Sequence, residues 1–129
     1  HQTLANQCIE DIAFRDMDIS TQVQMAKSFL YIGNHKKAYE LLNLIEISID
    51  KNNIYYNEIK CLQGIALYKT KQWTLCIDKL QEAITLKQTD DFLFVCHSIL
   101  TYCYYSINDL ANANKLYNMT QTRKLILLK

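Results

Sequence analysis

Proline is absent from the 129-residue chain, and glycine occurs only at Gly33 and Gly64. These shortages exclude glycine-rich phosphate loops and argue against a turn-dense all-β fold. Excess charge of either sign is missing too. Lys and Arg number 14 against 13 Asp and Glu, for a formal net charge of +1, whereas a dedicated nucleic-acid binder rests on a large basic surplus. No apolar run approaches the roughly 20 residues of a membrane helix. No basic-then-apolar leader opens the sequence, and the first residue is His1, so it reads as an excised piece of something larger. The five cysteines, Cys8, Cys61, Cys76, Cys96 and Cys103, form no C-x-x-C pair and are odd in number. That usage points to a reducing, intracellular and cytoplasmic setting.

Half of the residues are hydrophobic, and a chain of this length buries about two-thirds of the surface its unfolded form exposes. One domain over 1–129 is expected, with no disulfide, metal or cofactor needed to hold its core. Apolar residues recur at helical spacing nearly throughout, and alternating stretches suited to strands are scarce. The fold class is therefore all-α. Breaks fall at clusters of short polar residues, and Ser20, Asn34 and Asp90 are the expected N-caps, since their side chains can accept from first-turn amides. Seven helices follow, near 4–14, 20–32, 35–50, 54–70, 73–87, 91–106 and 109–126.

The chain also repeats itself. Segments 25–45, 63–83 and 100–120 align, placing a small residue on each second helix at Ala38, Cys76 and Ala113, at intervals of 38 and 37 residues. On each first helix Ala26, Gly64 and Thr101 correspond, and Phe29, Leu67 and Tyr104 follow three residues later on the same face. Leu42, Leu80 and Tyr117, then Ile45, Ala83 and Thr120, complete the second-helix set. Small side chains at the crossing let two antiparallel axes approach, and bulky ones a turn away fill the grooves beside them. A single hairpin cannot cover its own apolar surface, so such units stack in series.

These residues resemble the tetratricopeptide repeat family. The middle unit carries Gly64, Ala66, Leu67, Tyr68, Trp73, Cys76, Leu80 and Ala83; the first keeps Ala26, Phe29, Gly33 and Ala38; the third keeps Tyr104, Tyr105, Leu110, Ala113 and Tyr117. Asn108 stands at the third turn in place of glycine, a mild exchange because Asn tolerates left-handed backbone. The spacing exceeds the family's 34 residues, and its unit-ending proline is replaced by Asp50 and Gln88. The resemblance implies an α-solenoid of stacked antiparallel hairpins, with a half repeat at 4–14 and repeats at 20–52, 54–90 and 91–127.

Candidate chemistry gives way to plainer roles. Cys96 and His97 are adjacent, so they point about 100° apart on a helix and do not face one substrate. Residues 16–20 open like a calcium loop but lack its glycine at Thr21 and its acid at Lys27. The cysteines read as small core residues, and neither enzymatic activity nor a metal site is expected.

What the resemblance implies instead is a protein-interaction scaffold whose first helices line a concave groove. The groove stripe is Val23, Lys27, Leu30 and Tyr31, then Cys61, Ile65, Tyr68 and Lys69, then Ser98, Tyr102, Tyr105 and Ser106. Within it Lys27, Tyr31, Ile65, Tyr68, Lys69, Tyr102 and Tyr105 are the candidate contacts for an apolar peptide or amphipathic helix of a protein partner. Ile65 and Tyr102 stand where a clamp for a C-terminal carboxylate needs polar groups, which argues against that ligand. Neither a nucleic acid nor a membrane is an expected partner. The apolar run Leu125 to Leu128 calls for cover by a further helix or a second copy. The alternative reading is the peptide-sensing domain of a bacterial transcription regulator, which resembles the same pattern.

Overall fold

A computed structural model describes residues 13–128, with side chains through residue 121. The expected half repeat at 4–14 therefore lies almost wholly outside the described residues, and so do the side chains of Leu125 to Leu128. Residues 13–16 are helical, and six helices follow: α1 (Ile19–Tyr31), α2 (His35–Ser48), α3 (Tyr56–Lys69), α4 (Trp73–Ile84), α5 (Asp90–Ser106) and α6 (Leu110–Leu128). No strand occurs among the described residues, and no helix there is long and apolar enough to cross a membrane.

Local chemistry sets the helix ends. Asn34 caps α2 as expected, accepting from the Lys37 amide at 3.3 Å. The other two caps differ from expectation. Asp18, not Ser20, accepts from the Thr21 amide at 2.7 Å, and Thr89, not Asp90, accepts from the Phe92 amide at 3.2 Å. Asp90 and Asp91 instead occupy the first turn of α5, where negative charge meets the positive end of the helix dipole. α2 stops at Ser48 because Ile49 is already extended, and α4 stops at Ile84, three residues short of expectation.

Within each pair the turn is built the same way. Gly33, Lys71 and Asn108 take positive φ of 91°, 61° and 64° at the repeat's own intervals. The amides on either side of each turn bond back in one pattern: Asn34 to the Phe29 carbonyl at 2.9 Å and Gly33 to Leu30 at 3.2 Å, repeated by Gln72 to Leu67 and Lys71 to Tyr68, and by Asp109 to Tyr104 and Asn108 to Tyr105. This arrangement satisfies the last carbonyls of the helix through one left-handed residue.

Packing follows the small residues. Ala38, Cys76 and Ala113 are fully buried, as is Ala26. At Gly64 a Cβ would stand 2.2 Å from Leu80 Cδ2 and 2.5 Å from its Cγ, so α3 and α4 meet with no room for a methyl group. The Cys76 thiol donates to the Gly64 carbonyl across the same crossing at 3.2 Å. Consecutive helices pack as neighbours along the chain, and α3 also touches α1 and α5, the first helices of the adjoining pairs. The first helices thus line the tighter side of a stacked, solenoid-like array.

The core has two clusters that share α3. Ile59 and Leu62 join Val23, Leu42 and Ile45 on one side, while Cys61 and Leu67 join Leu80, Leu100 and Cys103 on the other. Residues 59–64 are all buried. Polar groups that enter this interior are tied between helices, although the buried Gln22 Oε1 and Gln63 Oε1 have no hydrogen-bond partner among the described residues. Gln63 donates to Asn43 Oδ1 at 3.0 Å. Lys60, 5% exposed, meets Glu46 at 2.6 Å and Glu82 at 3.1 Å, tying α3 to α2 and α4. Burial disfavours the Lys60 ammonium, but its hydrogen bonds to Glu46 and Glu82 outweigh this and hold its pKa above the ordinary value. Partial burial likewise opposes ionisation of Glu46, and the Lys60 hydrogen bond with the charges of Lys79 and Lys60 reverses the balance, keeping the carboxyl below its usual value. One packing assignment does not hold: Tyr117 is 51% exposed, because no further pair among the described residues covers α6 as α3 covers Leu42 and α5 covers Leu80.

Candidate functional site

The turn geometry decides which stripe residues meet. Because Lys71 folds the chain back on itself, Trp73 at the start of α4 returns toward Tyr68, the penultimate residue of α3. Their ring centroids lie 6.0 Å apart at 54°. From the next pair, Tyr102 on α5 presents its ring at 5.5 Å and 89° to Tyr68 and at 5.6 Å and 62° to Trp73. The two edge-to-face contacts of Tyr102 suit the ring quadrupoles, and Tyr68 and Trp73 are tilted against each other. Tyr68 and Trp73 are half-buried, while Tyr102 remains 51% exposed. The Lys69 ammonium lies 5.7 Å from the Tyr68 ring centre, a cation–π contact. Together with Lys71 these residues line a solvent-open depression of about 190 Å³.

Three of the seven expected contacts, Tyr68, Lys69 and Tyr102, are therefore brought together. The others are placed separately. The Lys27 ammonium pairs with the Glu58 carboxylate, linking α1 to α3, so its charge is already engaged. Tyr31, the last residue of α1, is 92% exposed. Ile65 is half-buried and packs on the N-terminal cluster. Tyr105, 45% exposed, leans onto α6, where its hydroxyl hydrogen-bonds Asn114 Oδ1 at 2.9 Å. Two members of the wider stripe, Val23 and Cys61, are wholly buried because the first helices touch one another there, so they line no groove. Trp73 was missing from the expected set. It stands on a second helix, and its signal in the sequence was its position two residues beyond the left-handed residue, where His35 and Leu110 stand in the flanking pairs.

The thiols are packed inside the fold. Cys61, Cys76, Cys96 and Cys103 are all buried, and the Cys96 thiol faces Cys61 at 3.4 Å. The hydrogen bond with Cys96, reinforced by burial, pushes the Cys61 thiol far above its ordinary range, and contact with Cys103 does the same for Cys76, while the same two contacts draw Cys96 and Cys103 below theirs against the opposing effect of burial. Cys61 and Cys76, held protonated, are poor nucleophiles and poor metal ligands. Among the described residues no group of three His, Cys, Asp or Glu is disposed to hold a metal ion.

No protein-family model matches the chain, and no curated protein does. Among solved structures it is similar to the crystal structure of the TPR domain of Arabidopsis FLU, with a TM-score of 0.72 and 17% identity over 84% of this chain and 95% of that one. Paired helices, small residues at their crossings and this similarity agree: the chain has the tetratricopeptide-repeat fold.

Proposed function

We propose that the chain is a protein-interaction scaffold, with no chemistry of its own, that holds a peptide or helix of a partner protein against the side lined by α1, α3 and α5. The observation that carries this reading is the cluster of Tyr68, Trp73 and Tyr102, with Tyr31 on α1 and Tyr105 on α5 also exposed. Rigid aromatic side chains offer large contact area at small entropic cost and are over-represented among residues that dominate binding energy. The three pairs at 20–52, 54–90 and 91–127 act as one binding unit in an intracellular, reducing setting, where the buried thiols stay reduced.

The test is capture of partners by the tagged chain from the cells that make it, comparing wild type with Tyr68→Ala and Tyr102→Ala. Each substitution lowers recovery of a partner that the wild-type chain retains, while far-UV circular dichroism shows the helices intact. Undiminished recovery in both well-folded variants refutes the assignment of the site.

A further inference from the structure

We infer that the depression between Lys69 and Lys71 receives an acidic linear peptide segment, a carboxylate side chain meeting the two ammonium groups and a neighbouring apolar side chain resting on Tyr68, Trp73 and Tyr102. The inference rests on the scaffold reading and adds the chemistry of the partner.

Charge is the first ground. Among the described residues the ion pairs use Lys27 and Lys60, and neither Lys69 nor Lys71 has a carboxylate partner. The hairpin turns of stacked pairs emerge at one end of the array, where segments 31–37, 68–74 and 105–111 carry Lys36, Lys37, Lys69 and Lys71 against Asp109 alone. A partner that docks there gains by bringing negative charge.

Backbone strain is the second. Gly33 and Asn108, at the equivalent turns, are residue types that left-handed backbone favours. Lys71 adopts the same conformation at φ 61° without that advantage, and its exposed side chain returns no hydrogen bond or ion pair to the fold. Strain of this sort concentrates where a side chain serves binding.

Ring geometry is the third, and it selects a peptide over a nucleic acid. Tyr102 meets Tyr68 and Trp73 edge to face at 89° and 62°, Tyr68 and Trp73 are tilted at 54°, and the depression they line with the two lysines is a notch of about 190 Å³. A single-stranded nucleic acid needs open faces on which successive bases stack beside a continuous basic track, whereas the notch suits one apolar side chain.

The chain's one tryptophan is Trp73, so intrinsic fluorescence of the whole chain reports on this site. The probes are a capped octapeptide in which glutamate alternates with phenylalanine and leucine, the same peptide with glutamine for glutamate, and a thymidine octanucleotide. The acidic peptide changes Trp73 emission saturably and binds more tightly than both controls. Lys71→Gly weakens its binding by about threefold or more, the scale of one partly screened charge pair, although the same substitution raises the urea midpoint of unfolding. Lys71→Gln weakens binding equally without that rise. Equal affinity for the glutamine peptide overturns the acidic preference, tighter binding of the oligonucleotide overturns the peptide class, and unchanged affinity in Lys71→Gly overturns the role of that side chain. If acidic peptide leaves Trp73 emission unaltered while Tyr68→Ala still abolishes partner capture, the acidic class fails and the scaffold reading stands.

Discussion

Replacing Gly64 by alanine sets two opposing effects against each other at the α3–α4 crossing. Alanine favours the helix over glycine by about 1 kcal/mol. Against this, the new methyl group arrives 2.2 Å from Leu80 Cδ2 and 2.5 Å from Cγ. The Cγ contact means that Leu80 cannot yield merely by turning its end, and Leu80 is fully buried, so room is made only by moving the helices apart. Their separation also stretches the hydrogen bond from the Cys76 thiol to the Gly64 carbonyl. Overpacking of a closed core costs about 1–3 kcal/mol, and contacts this short fall in the upper part of that range, so the cost outweighs the propensity gain and leaves Gly64→Ala destabilised by about 1–2 kcal/mol. The assay is urea unfolding followed by far-UV circular dichroism, with an unchanged denaturant slope. Leu80→Ala alone loses about 2–5 kcal/mol through the cavity it opens. In the double variant the methyl at 64 enters that cavity, so the two losses combine to less than their sum by about 1 kcal/mol or more, well beyond the scatter of independent sites. A Gly64→Ala protein as stable as wild type, or strict additivity in the cycle, refutes close approach at this crossing.

The left-handed turns respond in opposite directions: Lys71→Gly gains about 0.5–1 kcal/mol and Gly33→Ala loses about 1 kcal/mol in the same unfolding assay. Lys60→Met loses about 2 kcal/mol at neutral pH, because Glu46 keeps its charge without its partner. The triad also shapes the pH profile. Glu46 has a folded pKa below its unfolded value of 4.5, so its contribution is present above pH 4.5 and is lost as pH falls through the folded value. Lys60 has a folded pKa above 10.5, so its contribution is complete below pH 10.5 and is lost as pH rises further. Urea midpoints across pH show both edges in wild type and flatter edges in Lys60→Met. Finally, Cys61, Cys76, Cys96 and Cys103 resist iodoacetamide in the native protein at neutral pH and all react in urea, as read by peptide mass mapping.

The sequence carried the architecture because the features that define it are coarse. Residue size alone marks Ala38, Cys76 and Ala113, and a side chain's absence or brevity marks the turns at Gly33 and Asn108. Lys71 occupies the same backbone state with no such mark, since a lysine shows nothing in sequence of being forced into it. The caps slipped by one or two residues, from Ser20 to Asp18 and from Asp90 to Thr89, because two competent acceptors stand near each helix start and only backbone geometry chooses between them. Helical spacing placed Tyr68, Lys69 and Tyr102 on one side. It gave no sight of Trp73, which reaches them by reversal of the chain. Nor did it show the engagement of Lys27 by Glu58 or of Lys60 by Glu46 and Glu82, which depends on contacts between helices that no local pattern encodes.

The sharing of α3 by both core clusters means that this rod cannot belong to either half of the molecule alone. If the backbone were cut in the turn at residues 70–72, the first piece would keep α3 yet bare its second apolar flank at Cys61 and Leu67, while the second piece would lack the strut on which Leu80 and Leu100 close. Two such fragments are complementary surfaces of one body, so co-expressed they reassemble, and expressed singly the second stays unfolded.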